Sequence, residues 1–149
     1  MRLIKVTFAF AVLALVAACA ATGPLYTEVA SAIPPVPANK GRVFFFRPDT
    51  FVGGAVTSDI RLNGKVVGKS ERGSFFYADE EPGNCTVATS TETEKQLTFV
   101  LERGQTRYVQ TSVSIGILVG RINPELVAAD VAKKEIESLH YTGAPLTKK

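Results

Sequence analysis

The chain holds one histidine (His140), no tryptophan, one methionine and two cysteines, Cys19 and Cys85, in 149 residues. A zinc centre draws on three or four cysteine, histidine or carboxylate ligands at short spacings, so no metal site is expected and no cofactor is implied. Two cysteines cannot build a disulfide framework. The apolar run from Val6 to Ala21 stops at Thr22-Gly23-Pro24 after sixteen residues, short of the roughly 20 that a membrane-crossing helix needs. An excess of one charge is also missing. Basic residues number 17 and acidic residues 14. With Arg2 and Lys5 set aside as part of the leader described next, 15 basic residues face 14 acidic ones, a net +1. Such a chain cannot lay out the continuous positive stripe that nucleic-acid binding requires, and no nucleic-acid partner is expected.

What is present begins at the N-terminus. Arg2 and Lys5 form a positive n-region, Val6 to Val16 an apolar h-region, and Ala17-Ala18 the small residues that precede a cleavage site. Val16-Ala17-Ala18-Cys19 resembles the lipobox of bacterial lipoprotein signals. That resemblance implies that residues 1–18 are removed and that Cys19 becomes the new N-terminus, carrying a thioether-linked diacylglyceryl group and, in many bacteria, an N-acyl chain. One acyl chain holds a protein to a bilayer only marginally, whereas two or more hold it stably. By the sorting rule of the enterobacterial lipoproteins that this signal resembles, Ala rather than Asp at position 20 favours the outer membrane. The partner expected first is therefore a membrane, reached through a lipid anchor in the bacterial cell envelope.

Residues 19–39 carry Gly23, Pro24, Pro34, Pro35 and Pro37 with little charge, and are expected to act as a lipidated, extended tether. At roughly 3 Å per residue it would reach up to about 60 Å from the bilayer. Residues 40–140 change character, with short β-branched and aromatic runs punctuated by turn signals, as in a mainly β domain. Val43 to Arg47 is apolar on both faces, the mark of a central strand. Ala55–Leu62 and Lys65–Lys69 flank Asn63-Gly64, the strongest short hairpin signal because both residues tolerate positive φ. Ser74–Asp79, Asn84–Ser90 and Lys95–Glu102 read as further strands, the last alternating Leu97, Phe99 and Leu101 with polar residues. Arg103-Gly104-Gln105 is expected to fold Thr106–Ser114 back on it as a second hairpin, and Glu125–Ala129 to form a last strand. Asp130 would then cap a short C-terminal helix with Ala132, Ile136 and Leu139 inward, and with Lys133 and Lys134 unfavourably in its first turn. Residues 141–149 are left as a tail.

Gly41 to Pro48, Leu62-Asn63-Gly64-Lys65, Gly73 to Tyr77, Pro82-Gly83 and the Gly104 to Val113 segment together resemble the small bacterial lipoproteins of the domain-of-unknown-function 2846 family, over about residues 38–140. The resemblance implies an antiparallel β-sandwich, prealbumin-like or carboxypeptidase-regulatory-like, and brings no activity with it. Cys85 stands where the family pattern leads one to expect an aromatic residue or histidine, so position 85 is not marked as a fixed functional site.

No Gly-x-Ser-x-Gly elbow accompanies His140, and Gly53-Gly54 lacks the Lys-Ser/Thr of a phosphate loop. The adjacent carboxylates Asp79, Glu80 and Glu81 read as solvated turn chemistry. No catalytic residue is assigned, and the protein is expected not to be an enzyme. Arg47 is a candidate partner contact, set against an internal salt bridge to Asp49 or Asp79. Ile117 and Leu118, within Ile115–Gly120, are either a buried strand or an exposed patch for a protein or membrane. Open sheet edges are a third binding option. The expected function is a lipid-anchored structural or protein-interaction module contacting an envelope protein or cell-wall component. The alternative is a small-ligand or thiol-dependent activity at Cys85, which needs an exposed thiol with a lowered pKa rather than a buried one packed like a small hydrophobe.

Overall fold

A computed structural model describes residues 20–147. The expected export signal at residues 1–18 and the expected lipid site Cys19 lie outside the described residues. Among the described residues, nine strands form two sheets. The strands are β1 (Gly41–Arg47), β2 (Ser58–Leu62), β3 (Lys65–Ser70), β4 (Ser74–Glu80), β5 (Gly83–Ser90), β6 (Glu94–Leu101), β7 (Thr106–Ser114), β8 (Arg121–Val127) and β9 (His140–Tyr141). One sheet has the order β8-β7-β1-β4-β9 and the other β3-β2-β5-β6. A short helix, α1 (Tyr26–Val29), precedes the strands, and α2 (Ala129–Ile136) lies between β8 and β9.

The fold class is the mainly β sandwich with a short C-terminal helix that the sequence implied. The four-stranded sheet is antiparallel throughout, whereas the five-stranded sheet is mixed, with β1 parallel to β7 and β4 parallel to β9. The physical reason lies in the corner at Gly104. Its amide bonds to Lys40 O and the Arg42 amide to Gln105 O, so the turn hands the chain from β6 in one sheet to β7 beside β1 in the other. The second hairpin is therefore not β6–β7. Hairpins form instead at Thr91–Thr93 between β5 and β6, and at residues 115–120 between β7 and β8. The Asn63-Gly64 hairpin stands as expected, with φ values of 51° and 82°, both in the region a type I′ turn demands.

β1 is central and covered on both faces. Phe45 stacks on its β4 partner Phe76 at 5.1 Å on the face turned to the other sheet, where β3 carries Gly68 and a Cβ would stand 2.4 Å from the Phe76 ring. The other face of the sheet, with Phe44, Phe46, Phe75 and Tyr77, is covered by α2 and by the N-terminal segment: Tyr26 meets Phe75 edge-on at 5.5 Å, and Ala132, Ile136 and Leu139 are buried. Each fully buried phenylalanine or aliphatic side chain contributes roughly 1.5–3 kcal/mol. Asp130 is in the first turn of α2, but the cap is Ala128, and Lys133 and Lys134 fall in the last turn, where the helix dipole favours them.

The extended-tether expectation is corrected. Residues 21–34 are docked along the β9 edge. The Ala21 amide donates to Arg72 O, Tyr26 to Leu139 O and Tyr141 to Pro24 O, and His140 Nδ1 donates to Gly23 O. Gly23 passes so close that a Cβ would overlap the Tyr141 carbonyl, an approach only glycine permits. At the far end Arg42 closes the clasp. Its guanidinium donates to both Asp79 oxygens at 2.6 and 2.8 Å and to Pro34 O at 2.6 Å, and lies 4.1 Å over the Tyr77 ring. The tail expectation is corrected too, because Tyr141 is in β9, Thr142 bonds to Phe75 O and Leu146 packs on the core. The prolines fall in the non-helical stretches on either side of residues 26–32, and such backbone lies as well on a sheet edge as in water.

Candidate functional site

At one end of the sandwich the loops 48–57, 71–73, 91–93 and 115–120 come together, since β1, β3, β5 and β7 all finish there. Two of them carry large apolar side chains outward. Phe51 is 88% exposed, Val52 72%, Ile115 93%, Ile117 86% and Leu118 88%. Between the two loops runs an open groove of about 380 Å³, lined by Val52, Val56, Val113 and Leu118 among others. Contiguous exposed apolar surface on a folded domain marks an interaction site more often than isolated exposed residues do. Of the two readings of Ile117 and Leu118, the exposed patch holds and the buried strand does not: the segment is the β7–β8 connection.

Each loop is held by one charged side chain beneath it. Arg47, 2% exposed, neither faces a partner nor pairs with Asp49 or Asp79. Its guanidinium donates to the carbonyls of Val56, Gly53 and Ser70, gathering the 48–57 loop against the sandwich. Burial, and then the neighbouring Arg72, push its pKa down, because no carboxylate offsets the desolvated charge. The candidate contact at Arg47 is thus corrected to an internal brace, since a planar fork of five donors is better satisfied by three converging carbonyls than by solvent.

Glu92 does the converse for the other loop. Its carboxylate accepts the amides of Ile117 at 2.9 Å, Leu118 at 2.9 Å and Val119 at 3.4 Å, and the Arg121 guanidinium at 3.0 Å. The Leu118 and Ile117 amides are the main reason its pKa is pulled down to about 2. Gly116 fits against it so tightly that a Cβ would collide with Val119 O and Glu92 Oε1. Sequence reasoning missed Glu92, Phe51 and Val52. The apolar pair between Asp49 and Gly53-Gly54 was the available signal for the last two. Glu92 had none, because its partners lie 25 to 29 positions away.

The other singled-out groups are engaged internally. Cys85 is 1% exposed, paired across the ladder with Phe99. Burial pushes its thiol pKa up, with Asn63 opposing and Glu80 adding, the reverse of what a reactive thiolate requires. Asp79 is held by Arg42, Glu81 meets Lys40 at 3.5 Å, and the Ser74 hydroxyl donates to Glu71 O rather than to His140. Among the described residues no cluster of three metal-ligating side chains forms, and no helix is long and apolar enough to cross a membrane.

Fold and site together define a two-sheet β domain with a braced, outward-facing apolar loop end. The family model described as a protein of unknown function, DUF2846, matches residues 37–121, and the chain belongs to that family. An uncharacterized protein of Haemophilus influenzae is 29% identical over 107 residues, which is 71% of this chain and 62% of the relative. The chain thus spans about three-fifths of that relative's length. No solved structure matches.

Proposed function

We propose that this chain is a lipid-anchored, non-enzymatic module of the bacterial envelope, held by acyl chains on Cys19, with the outer membrane as its site. It acts by contact, as a structural or interaction domain toward an envelope protein or cell-wall component. The observation that carries this reading is where the polar chemistry goes. Arg42, Arg47, Asp79, Glu92 and His140 spend their hydrogen-bonding capacity on the fold itself, while five large apolar side chains are turned outward. A domain organised that way offers a surface to bind with rather than a set of converging reactive groups. The lipobox-like Val16-Ala17-Ala18-Cys19 supplies the anchor. Mass spectrometry of the mature protein tests it: the N-terminal peptide is expected to start at Cys19 with diacylglyceryl and acyl additions. An unmodified Cys19 in the exported protein refutes the reading.

A further inference from the structure

We propose that the apolar loop end is a second membrane contact, seated on the same bilayer that holds the Cys19 lipid, so that the sandwich lies against the membrane instead of being suspended from it. The proposal rests on the lipid-anchor reading and adds to it an orientation and a ligand class, the acyl-headgroup boundary of a bilayer.

The first support is where the anchor emerges. Ala21 is buried and its amide donates to Arg72 O in the 71–73 loop. From there the chain runs away from the loop end, fixed in turn to Tyr141, Leu139 and Arg42. Consecutive Cα atoms are 3.8 Å apart, so Cys19, two positions before Ala21, lies within about 8 Å of it. On the lipid-anchor reading, acyl chains on Cys19 are tethered through Ala21 beside the 71–73 loop, at the end that carries the exposed apolar side chains. The 71–73 loop in turn touches the 48–57 loop. Arg72 Nε is 2.8 Å from Asp49 Oδ1, the Gly73 amide donates to Arg47 O, and Gly54 lies against the Arg72 side chain.

The second support is how the loops are finished. Backbone groups that enter an apolar medium unpaired are heavily penalised. The Ile117, Leu118 and Val119 amides are already bonded to Glu92, and the Gly53 and Val56 carbonyls to Arg47. Phe51, Ile117 and Leu118 can enter the boundary region while those polar groups stay satisfied from below. Interfacial binding strength scales with buried apolar area, so shallow insertion of these side chains adds to the hold of the covalent lipid.

The experiment uses the full mature protein, purified with its lipid and reconstituted into phosphatidylethanolamine/phosphatidylglycerol vesicles. Leu118→Cys and, separately, Phe51→Cys are labelled with an environment-sensitive fluorophore, with Val100→Cys on β6, at the opposite end, as reference. Buried Cys85 stays unlabelled in the folded protein. Blue-shifted emission and quenching by brominated lipid at positions 118 and 51, absent at 100, support the proposal. Equal, water-like emission at all three positions overturns it. So does shielding of 118 in intact envelopes without quenching in pure lipid, which would assign the patch to a protein partner. Mass spectrometry of the same preparation separates the two readings: an acylated Cys19 with unquenched loops sinks only the docking, while an unacylated Cys19 sinks the anchor.

Discussion

Arg42→Met is the most informative perturbation of the fold. The guanidinium bridges Asp79, Pro34 and the Tyr77 ring, and Arg42 is 3% exposed. Methionine keeps most of the stem packing and removes every donor. The Asp79 carboxylate is left without its partner, and breaking a buried pair from one side costs about 3–5 kcal/mol. Because the Asp79 side chain retains 19% exposure, water recovers part of that, and the total loss, the Pro34 carbonyl included, is about 3 kcal/mol. For a domain of this size that lowers Tm by roughly 10 °C. Arg42→Met/Asp79→Leu should restore more than half of the loss, since removing both charges leaves neither stranded. Calorimetry on the two variants decides the matter. A single-variant drop below about 3 °C, or a double variant no better than the single, refutes the reasoning. Limited proteolysis adds a local readout, because residues 21–34 should become cleavable in Arg42→Met before the sandwich does.

Two further outcomes are expected. The Glu92 carboxyl should titrate near pH 2 in the folded protein. Its folded pKa is depressed, so its contribution to stability is full above the unfolded value of about 4.5 and vanishes as the pH falls through about 2. NMR titration measures the midpoint, and amide exchange at 117–119 should quicken in Glu92→Gln; a midpoint near 4.5 with unchanged exchange contradicts the brace. Cys85 should react with an alkylating reagent only after denaturation, in keeping with its burial under Phe99 and its raised pKa. Labelling of the native protein as fast as of a free thiol would reopen a thiol chemistry at this position.

Local grammar settled a good deal. Asn63-Gly64 closes its hairpin because positive φ is a property of those residues alone. The two-faced apolar run at Val43–Arg47 is a central strand because it has no polar side to expose. Ala132 and Ile136 are inward because their spacing fixes a helix face, whereas Leu139 is buried in the turn that follows α2. What local grammar left open was partnership. Arg103-Gly104-Gln105 turns the chain equally well into a hairpin or around a corner, and only the bonds of that turn to Lys40 and Arg42, some 60 positions earlier, select the corner.

The same division holds at the site. By itself the sequence determined a β domain, a lipobox-like Cys19 and an apolar stretch at Ile115–Val119, all of them properties of neighbouring residues. Tertiary structure alone decided that this stretch is exposed, that Arg47 and Glu92 brace the loops from beneath, and that the residues after Cys19 run along a sheet edge starting at the loop end. The reason is that burial, ion pairing and docking are contests between segments far apart in the chain, and their outcome is fixed only when the whole fold brings the competitors within a few ångströms.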